Sequence, residues 1–186
     1  MPTLPLFPLD IVVYPGENLA LHIFEERYCL MVEECLHEGR PFGIALIRQD
    51  EPEGHIEHEA EGTGTAVKIL SVDQLSDGRY LLEVEGTQRF AIERVESRRP
   101  YQEATVTWLD EDVGDPGQAE IFSREVLEAL LNQGSLEGPP PPMGPIELSY
   151  VVAASLQAPL TIKQVLLEVP SADERLALEA GLLAPM

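Results

Sequence analysis

The sequence predicts a mixed fold that is mainly β: a barrel-like part of about six strands and one helix, followed by a small helical bundle. Three observations predict it. Residues 3–109 consist mostly of short apolar and β-branched segments separated by glycine, proline and aspartate. One stripe of apolar residues at helical spacing interrupts these segments, and the remaining chain contains amphipathic stretches. We therefore expect a β part over residues 1–110 and a helical part over residues 117–186.

The first part is expected to begin with two short strands, Leu4–Leu9 and Leu19–Phe24, on either side of a proline-glycine turn. Because side chains alternate along a strand, the odd-numbered apolar residues of the second strand share one face, while His22 and Phe24 share the other. A hairpin is expected at Glu85-Gly86. The later strands are expected at Phe42–Arg48, Thr63–Val72, Arg79–Val84, Thr87–Val95 and Tyr101–Leu109.

One helix is expected between these strands, because Phe24, Tyr28, Met31 and Cys35 recur at helical spacing before glycine and proline stop signals. The two cysteines of the chain, Cys29 and Cys35, lie in this helix six positions apart, so their side chains point to different faces. We expect two reduced, structural thiols.

The second part is expected to be a small helical bundle. Residues 110–117 are polar and rich in turn residues and mark the boundary. Ser171, with Glu174 three residues on, has the spacing of a capping box, and Thr161 marks another helix start. The proline run in residues 138–142 excludes helix and predicts a stiff spacer. The helices are expected at Ala119–Leu131, Glu147–Leu156, Ile162–Leu167 and Asp173–Leu183.

The charge of the chain opposes nucleic-acid binding. Its 33 acidic and 12 basic residues give a formal net charge of -21. Binding to a phosphate backbone requires cationic groups that release counterions. The one small basic cluster, Arg94, Arg98 and Arg99, is interleaved with Glu93 and Glu96, so we expect a solvated, mixed-charge surface there.

A cytoplasmic location is expected from the apolar pattern. The apolar runs are too short to span a bilayer. The amino terminus has no basic segment before an apolar stretch, so it does not have the pattern of a secretory signal.

No catalytic residue is predicted. The chain has no phosphate-binding loop, since neither of its two lysines, Lys68 and Lys163, follows a glycine. A serine-lysine dyad is not expected either, because alternation along the strand places Lys68 and Ser71 on opposite faces.

His55 and His58 are the best candidates for metal binding, because several glutamates surround them in residues 50–61. An acidic loop lacks the ordered neighbours that make a metal site tight. We therefore expect at most adventitious, weak binding there, and no metal site or cofactor.

The opening of the chain resembles the signature that begins the amino-terminal, substrate-binding domain of Lon-type ATP-dependent proteases. Its parts are Leu4-Pro5-Leu6-Phe7-Pro8-Leu9, Tyr14-Pro15-Gly16, Leu19 to Phe24 and Glu25-Glu26-Arg27-Tyr28. Later segments are also similar to the family pattern. They are Gly39 to Ile44, Gly64 to Ile69, Gly86 to Phe90, Pro100-Tyr101 with Ala104 and, more loosely, Asp173 to Leu176.

The resemblance implies a β barrel like that of pseudouridine synthases and archaeosine transglycosylases (PUA-like), with a helical bundle. It implies a role in recognising unfolded or tagged polypeptides in protein quality control, without enzymatic activity. The motor and protease that follow this domain in Lon proteases are missing from the sequence. We therefore expect a free-standing member of the family, with unfolded or extended polypeptides and a separate ATP-dependent protease as candidate partners.

The polypeptide-binding surface is expected at apolar and aromatic residues of the signature. Tyr14 beside Pro15 in a turn is expected at the surface, whereas core positions are favoured for Phe7 and Phe24. His22 beside an aromatic residue is favoured as a structural group. The full candidate set is Phe7, Leu9, Tyr14, Pro15, His22 and Phe24.

Two alternatives remain open at this point. A PUA-like barrel also suggests RNA binding, which the negative charge opposes. A barrel with attached helices could instead enclose a pocket for a small ligand and act as a sensor.

Overall fold

The computed structural model describes residues 2–47, 62–134 and 141–184. The chain divides into two compact units, Met1–Leu109 and Asp110–Met186. Within the described residues the first unit contains six strands and one helix, and the second contains four helices, which confirms the predicted fold class. The division into independent domains at residues 1–110 and 117–186 stays a prediction.

The strands of the first unit form a closed circuit with one strand outside it. The strands are β1 (Thr3–Leu9), β2 (Asn18–Ile23), β3 (Phe42–Leu46), β4 (Thr63–Gln74), β5 (Tyr80–Glu96) and β6 (Gln102–Trp108). Their order is β2-β5-β4-β3-β1-β6, and β5 also pairs with β6. The neighbours from β5 through β4, β3, β1 and β6 therefore lead back to β5, whereas β2 pairs with β5 alone in the described residues.

The predicted hairpin at Glu85-Gly86 is wrong, because β5 is one continuous strand that changes partners there. Residues up to Glu85 pair with β2, and residues from Phe90 pair with β6. The turn between β4 and β5 lies instead at residues 75–79, where Gly78 has a φ of 87°.

Gly86 brings two distant segments together. Its amide donates to the carbonyl of Glu17 at 2.9 Å, and its carbonyl accepts from the amide of Gly16 at 2.8 Å. A Cβ atom at Gly86 would lie 2.2 Å from the carbonyl oxygen of Tyr14, which is far inside van der Waals contact. Glycine is therefore required here for close backbone approach and not for a turn.

Gly86→Ala is expected to destabilise the β unit by about 2–3 kcal/mol, because the added methyl group meets backbone and not a flexible side chain. Urea unfolding followed by intrinsic fluorescence measures the change. Gly181→Ala is the control, since nothing lies within 4 Å of the Cβ added there and the residue is in a helix. Equal stability of Gly86→Ala and the unsubstituted protein would contradict the close approach.

The helix of this unit, α1 (Glu26–Glu38), covers part of the sheet. Its buried face consists of Tyr28, Met31, Val32 and Cys35, which confirms the predicted stripe apart from Phe24. These residues pack with apolar residues of the strands in one core cluster. Gly39, with a φ of 64°, ends the helix as the sequence predicts.

The second unit packs its helices around an apolar core. Asp115 caps the first of them by accepting from the amide of Gln118 at 2.9 Å. The helices are α2 (Pro116–Asn132), α3 (Pro145–Ser155), α4 (Leu160–Glu168) and α5 (Ala172–Leu183). The core consists of Val126, Leu130, Leu148, Val152, Leu176 and Leu183.

The start of α5 lies where the sequence predicts, but the capping box is wrong. Ser171 occupies the position before the helix, yet its hydroxyl makes no capping bond to the backbone and donates to the Asp173 carboxylate instead. The amide of Asp115 also donates to that carboxylate, at 2.9 Å, and so holds it in place. The Ser171 hydroxyl therefore bonds to the Asp173 side chain and not to the backbone of the helix. Thr161 lies inside the first turn of α4, which Pro159 precedes.

Candidate functional site

A groove of about 630 Å³ opens in the β unit, where β2 ends and the chain passes into α1. Four of the six predicted site residues line it, together with residues that follow β3 or precede β6. We call it the signature groove, because most of its wall comes from the opening motif of the chain. Its main lining residues are Phe7, Leu9, His22, Phe24, Arg27, Tyr28, Ile47, Arg99 and Tyr101.

Phe7 joins the groove to the core. The ring is 7% exposed, as the sequence prediction of a core position requires. Its centroid lies 4.5 Å from that of Tyr28 and 6.3 Å from that of Phe42. Aromatic packing of this kind gives the groove a fixed, apolar base.

Phe24 is exposed, so the core position predicted for it is wrong. Its side chain is 64% exposed, in contrast to Leu21 and Ile23, which are buried. Phe24 continues the even-numbered face of β2, which is turned away from the core, and it precedes the first turn of α1. The exposed His22 ring lies 5.7 Å from the Phe24 ring, so the two form an aromatic wall.

Tyr14 and Pro15 are not part of the signature groove, and the surface position predicted for Tyr14 is wrong. Tyr14 is fully buried and Pro15 is half-buried. The predicted turn does form, with the amide of Glu17 donating to the carbonyl of Tyr14 at 3.1 Å. The burial of Tyr14 has a long-range cause. The turn lies against Gly86, and the hydroxyl of Thr65 donates to the carbonyl of Val13 at 2.6 Å.

The cationic groups of the groove have carboxylate partners. Arg27 lies 4.7 Å above the Tyr28 ring, and its guanidinium is 2.8 Å from Glu25. Arg99 lies 3.3 Å from Glu103, which is four residues further along the chain. The groove therefore presents mainly apolar and aromatic surface with neutralised cations.

The other two arginines of the predicted basic cluster, Arg94 and Arg98, do not line the groove and are neutralised in the same way. Arg94 pairs with Glu96, and Arg98 lies 3.1 Å from the same carboxylate. This arrangement agrees with the mixed-charge surface that the sequence predicts. It leaves little positive field for a phosphate backbone.

The thiol and phenol groups near the groove are held protonated. Burial raises the pKa of Cys35 to about 11, and burial with nearby Glu33 raises the pKa of Cys29. Burial also raises the pKa of Tyr101 to about 12, and its hydroxyl donates to Glu34. A nucleophile needs a lowered pKa, so these groups are suited to packing and hydrogen bonding.

Lys68 and Ser71 share one face of β4, so the prediction of opposite faces is wrong. A bulge between Ile69 and Ser71 shifts the register by one residue. Lys68 lies 2.6 Å from Glu85, and its side chain is 54% exposed. A lysine that acts as a base must be desolvated, and this one is not.

The described residues contain no group of three or more histidine, cysteine or acidic side chains placed to hold a metal ion. His55 and His58 lie outside the described residues. No helix among the described ranges is long and apolar enough to cross a bilayer.

The fold of the chain is similar to that of two solved structures. The fold matches a crystal structure of a Lon N-terminal domain protein from Xanthomonas campestris, with a TM-score of 0.74, 28% identity and 96% of each chain covered. It also matches the N-terminal domain of a Lon protease from the Mycobacterium avium complex, with a TM-score of 0.73 and 98% of each chain covered. Identity to the latter is 18%, so it shows the fold alone.

The chain belongs to the family described as the ATP-dependent protease La (LON) substrate-binding domain, which residues 3–184 match. Lon protease 2 of Myxococcus xanthus is 25% identical over 192 residues, which cover 97% of this chain and 23% of that protein. A LON peptidase N-terminal domain and RING finger protein of Schizosaccharomyces pombe is 38% identical over 95 residues, 45% of this chain and 19% of that protein. The chain spans about a fifth of the length of these curated relatives. Family membership establishes a substrate-binding module.

Proposed function

We propose that the signature groove binds extended or partly unfolded polypeptide segments, without catalysis, in protein quality control in the cytoplasm. One observation carries the proposal. Residues of the family signature that are distant along the chain, Phe7 and Phe24 among them, converge on one groove with an exposed aromatic wall. Membership of a substrate-binding family supports the same role.

The surface of the groove suits weak, sequence-tolerant binding. Aromatic and aliphatic side chains contribute contact area without requiring particular partners. A net charge of -21 keeps a protein soluble while it exposes apolar groups, and it attracts basic segments. Both properties are useful in a module that holds unfolded chains.

A second part of the proposal is that bound clients pass to a separate ATP-dependent protease. Support comes from relatives that are themselves Lon proteases and carry a similar segment within a longer chain. Pull-down from cell extract followed by mass spectrometry tests this part. Enrichment of an ATP-dependent unfoldase or protease is expected, and its absence from repeated pull-downs would contradict the association.

Phe24→Ala is expected to weaken binding of an unfolded client about tenfold, because truncation removes an exposed ring from the wall of the groove. Fluorescence anisotropy measures the affinity, with labelled lysozyme that has been reduced and carboxamidomethylated as the unfolded client, at physiological salt. Leu70→Ala is the matched control, since Leu70 is also an exposed apolar residue of the β unit but does not line the groove. An equal loss in both variants, or none in either, would contradict the assignment of the site.

Small-ligand sensing remains a second candidate because of the groove's size. A volume of about 630 Å³ falls within the range typical of small-molecule sites. Thermal-shift screening with metabolites separates the two functions: a ligand that raises the melting temperature and displaces no polypeptide would favour sensing.

A further inference from the structure

β2 is an edge strand that ends at the signature groove. Its residues Asn18 to Ile23 pair with Glu85 to Tyr80 of β5, and in the described residues no strand pairs with its other side. An edge strand presents unpaired amide and carbonyl groups to a further strand. β2 therefore offers a template for main-chain hydrogen bonds.

The register of β2 against β5 shows which residues of β2 direct their amide and carbonyl groups away from β5. The amide of Gly86 donates to the carbonyl of Glu17, so at this position the two segments direct backbone groups toward each other. Hydrogen-bonded and non-hydrogen-bonded pairs alternate in an antiparallel ladder. The ladder continues without a register shift, so Asn18, Ala20 and His22 direct their amides and carbonyls away from β5.

The free edge and the groove are continuous. His22 is one of the residues of β2 that direct their backbone groups away from β5, and it also lines the groove with Phe24. A polypeptide segment paired along β2 would therefore reach the aromatic wall at the end of the strand. The side chains of Asn18, Ala20 and His22 are all exposed, so they leave the approach open.

The charge beside this edge selects a type of segment. Ala20 lies opposite Glu83, whose carboxylate accepts from the Ser71 hydroxyl at 3.2 Å and makes no ion pair with any described residue. An added strand would lie roughly 10 Å from β5, two strand spacings away. An arginine or lysine of that strand can cross the small Ala20 side chain and meet the Glu83 carboxylate.

We propose that the polypeptide in the signature groove binds by strand addition to the free edge of β2, with a basic residue beside Ala20 facing Glu83. Apolar residues occupy the alternate positions, on the side of Leu19 and Leu21. The inference rests on the proposed polypeptide binding and adds its binding mode and its preferred segment.

The first test uses a labelled, end-blocked octapeptide of alternating valine and arginine and two backbone N-methylated versions. One version is methylated at every valine and the other at every arginine. Strand addition uses the amides of alternate residues only, so one version is expected to bind about tenfold more weakly and the other nearly as well as the parent. Loss with methylated arginine indicates antiparallel addition. Equal affinities for the two methylated versions would overturn the proposal.

The second test changes the protein. Ala20→Pro removes an outward amide without removing a bond to β5, which edge positions tolerate, and Ala20→Ser is the control that keeps the amide. Ala20→Pro is expected to weaken the peptide about tenfold while Ala20→Ser leaves the affinity unchanged. Circular dichroism checks folding, and if Ala20→Pro does not fold, the methylated peptides decide.

The third test concerns the basic residue. Glu83→Gln is expected to reduce affinity for the arginine peptide several-fold and to leave a threonine-for-arginine peptide unaffected. An unchanged preference for arginine would overturn this part. If Phe24→Ala still weakens client binding but methylation and Ala20→Pro have no effect, strand addition is wrong and groove binding stands. If neither peptide nor unfolded client binds, the proposed function itself fails.

Discussion

Replacing Arg175 with methionine is expected to destabilise the helical unit by about 3–5 kcal/mol. The guanidinium is fully buried, although arginine is rarely found in such a position. Its Nε atom donates to the carbonyl of Leu166 at 2.9 Å, and an Nη atom donates to the carbonyl of Val169 at 2.9 Å. These carbonyls lie at the end of α4, where the helix supplies no amide partners.

Arg175 also connects α4 and α5 to α3. Its other Nη atom donates to the Ser149 hydroxyl at 2.7 Å, and the guanidinium lies 4.0 Å from the centre of the Tyr150 ring. Methionine fills similar space but leaves the carbonyls and the hydroxyl without a donor. The loss therefore combines several unpaired polar groups with a lost cation–π contact.

Amide hydrogen exchange across α3 to α5, together with urea unfolding, measures the effect. Arg124→Met is the control, because Arg124 is exposed on α2 and forms an ion pair with Glu120 at 3.5 Å. It is expected to change stability by no more than about 0.5 kcal/mol. Similar losses in the two variants would contradict a structural role for the buried guanidinium.

Glu179 is expected to make the helical unit less stable as pH rises. The side chain is fully buried, and its carboxylate oxygens have no hydrogen-bond partner among the described residues. Burial raises its pKa from 4.5 to about 9, against a lowering by Arg175 one turn away. The folded protein therefore keeps this group protonated at neutral pH, whereas the unfolded chain ionises it.

The sign follows from this difference. The stabilising contribution of a raised carboxyl pKa is fully present below about pH 4.5 and is lost progressively up to about pH 9. The expected slope is roughly 1 kcal/mol per pH unit within that window. Glu179→Gln is expected to remove the slope and to stabilise the unit at alkaline pH, since an amide does not ionise.

Thermal unfolding of Glu179→Gln and of the unsubstituted protein across this pH range checks the expectation. Glu128→Gln, at an exposed glutamate of α2, is the control and is expected to keep the slope. If Glu179→Gln and Glu128→Gln show the same pH dependence, Glu179 is not buried in the protonated form.

Local patterns predict the elements better than they predict the site. Alternation along β2 correctly separates Leu21 and Ile23 from the exposed His22, and helical spacing correctly identifies the buried face of α1. The exposure of Phe24 follows from the same alternation. A general preference of phenylalanine for the core is overridden here by the position of the residue between two elements.

Long-range contacts account for the remaining errors. The burial of Tyr14 depends on Gly86, which is remote in sequence and has the local pattern of a turn. The bulge after Ile69 reverses the faces that alternation assigns to Ser71. Tyr101 reaches the groove only because β6 pairs with β1, and nothing in the sequence near either strand indicates that pairing.

Site-specific photo-crosslinking tests polypeptide binding in the signature groove most directly. Benzoylphenylalanine is placed at Phe24 and, in a separate variant, at the control position Leu178, an exposed residue of α5. Irradiation with an unfolded client is predicted to give crosslinks at position 24 that unlabelled client suppresses, and few at position 178. Equal yields at the two positions, or yields at position 24 that excess client does not reduce, would contradict binding in the groove.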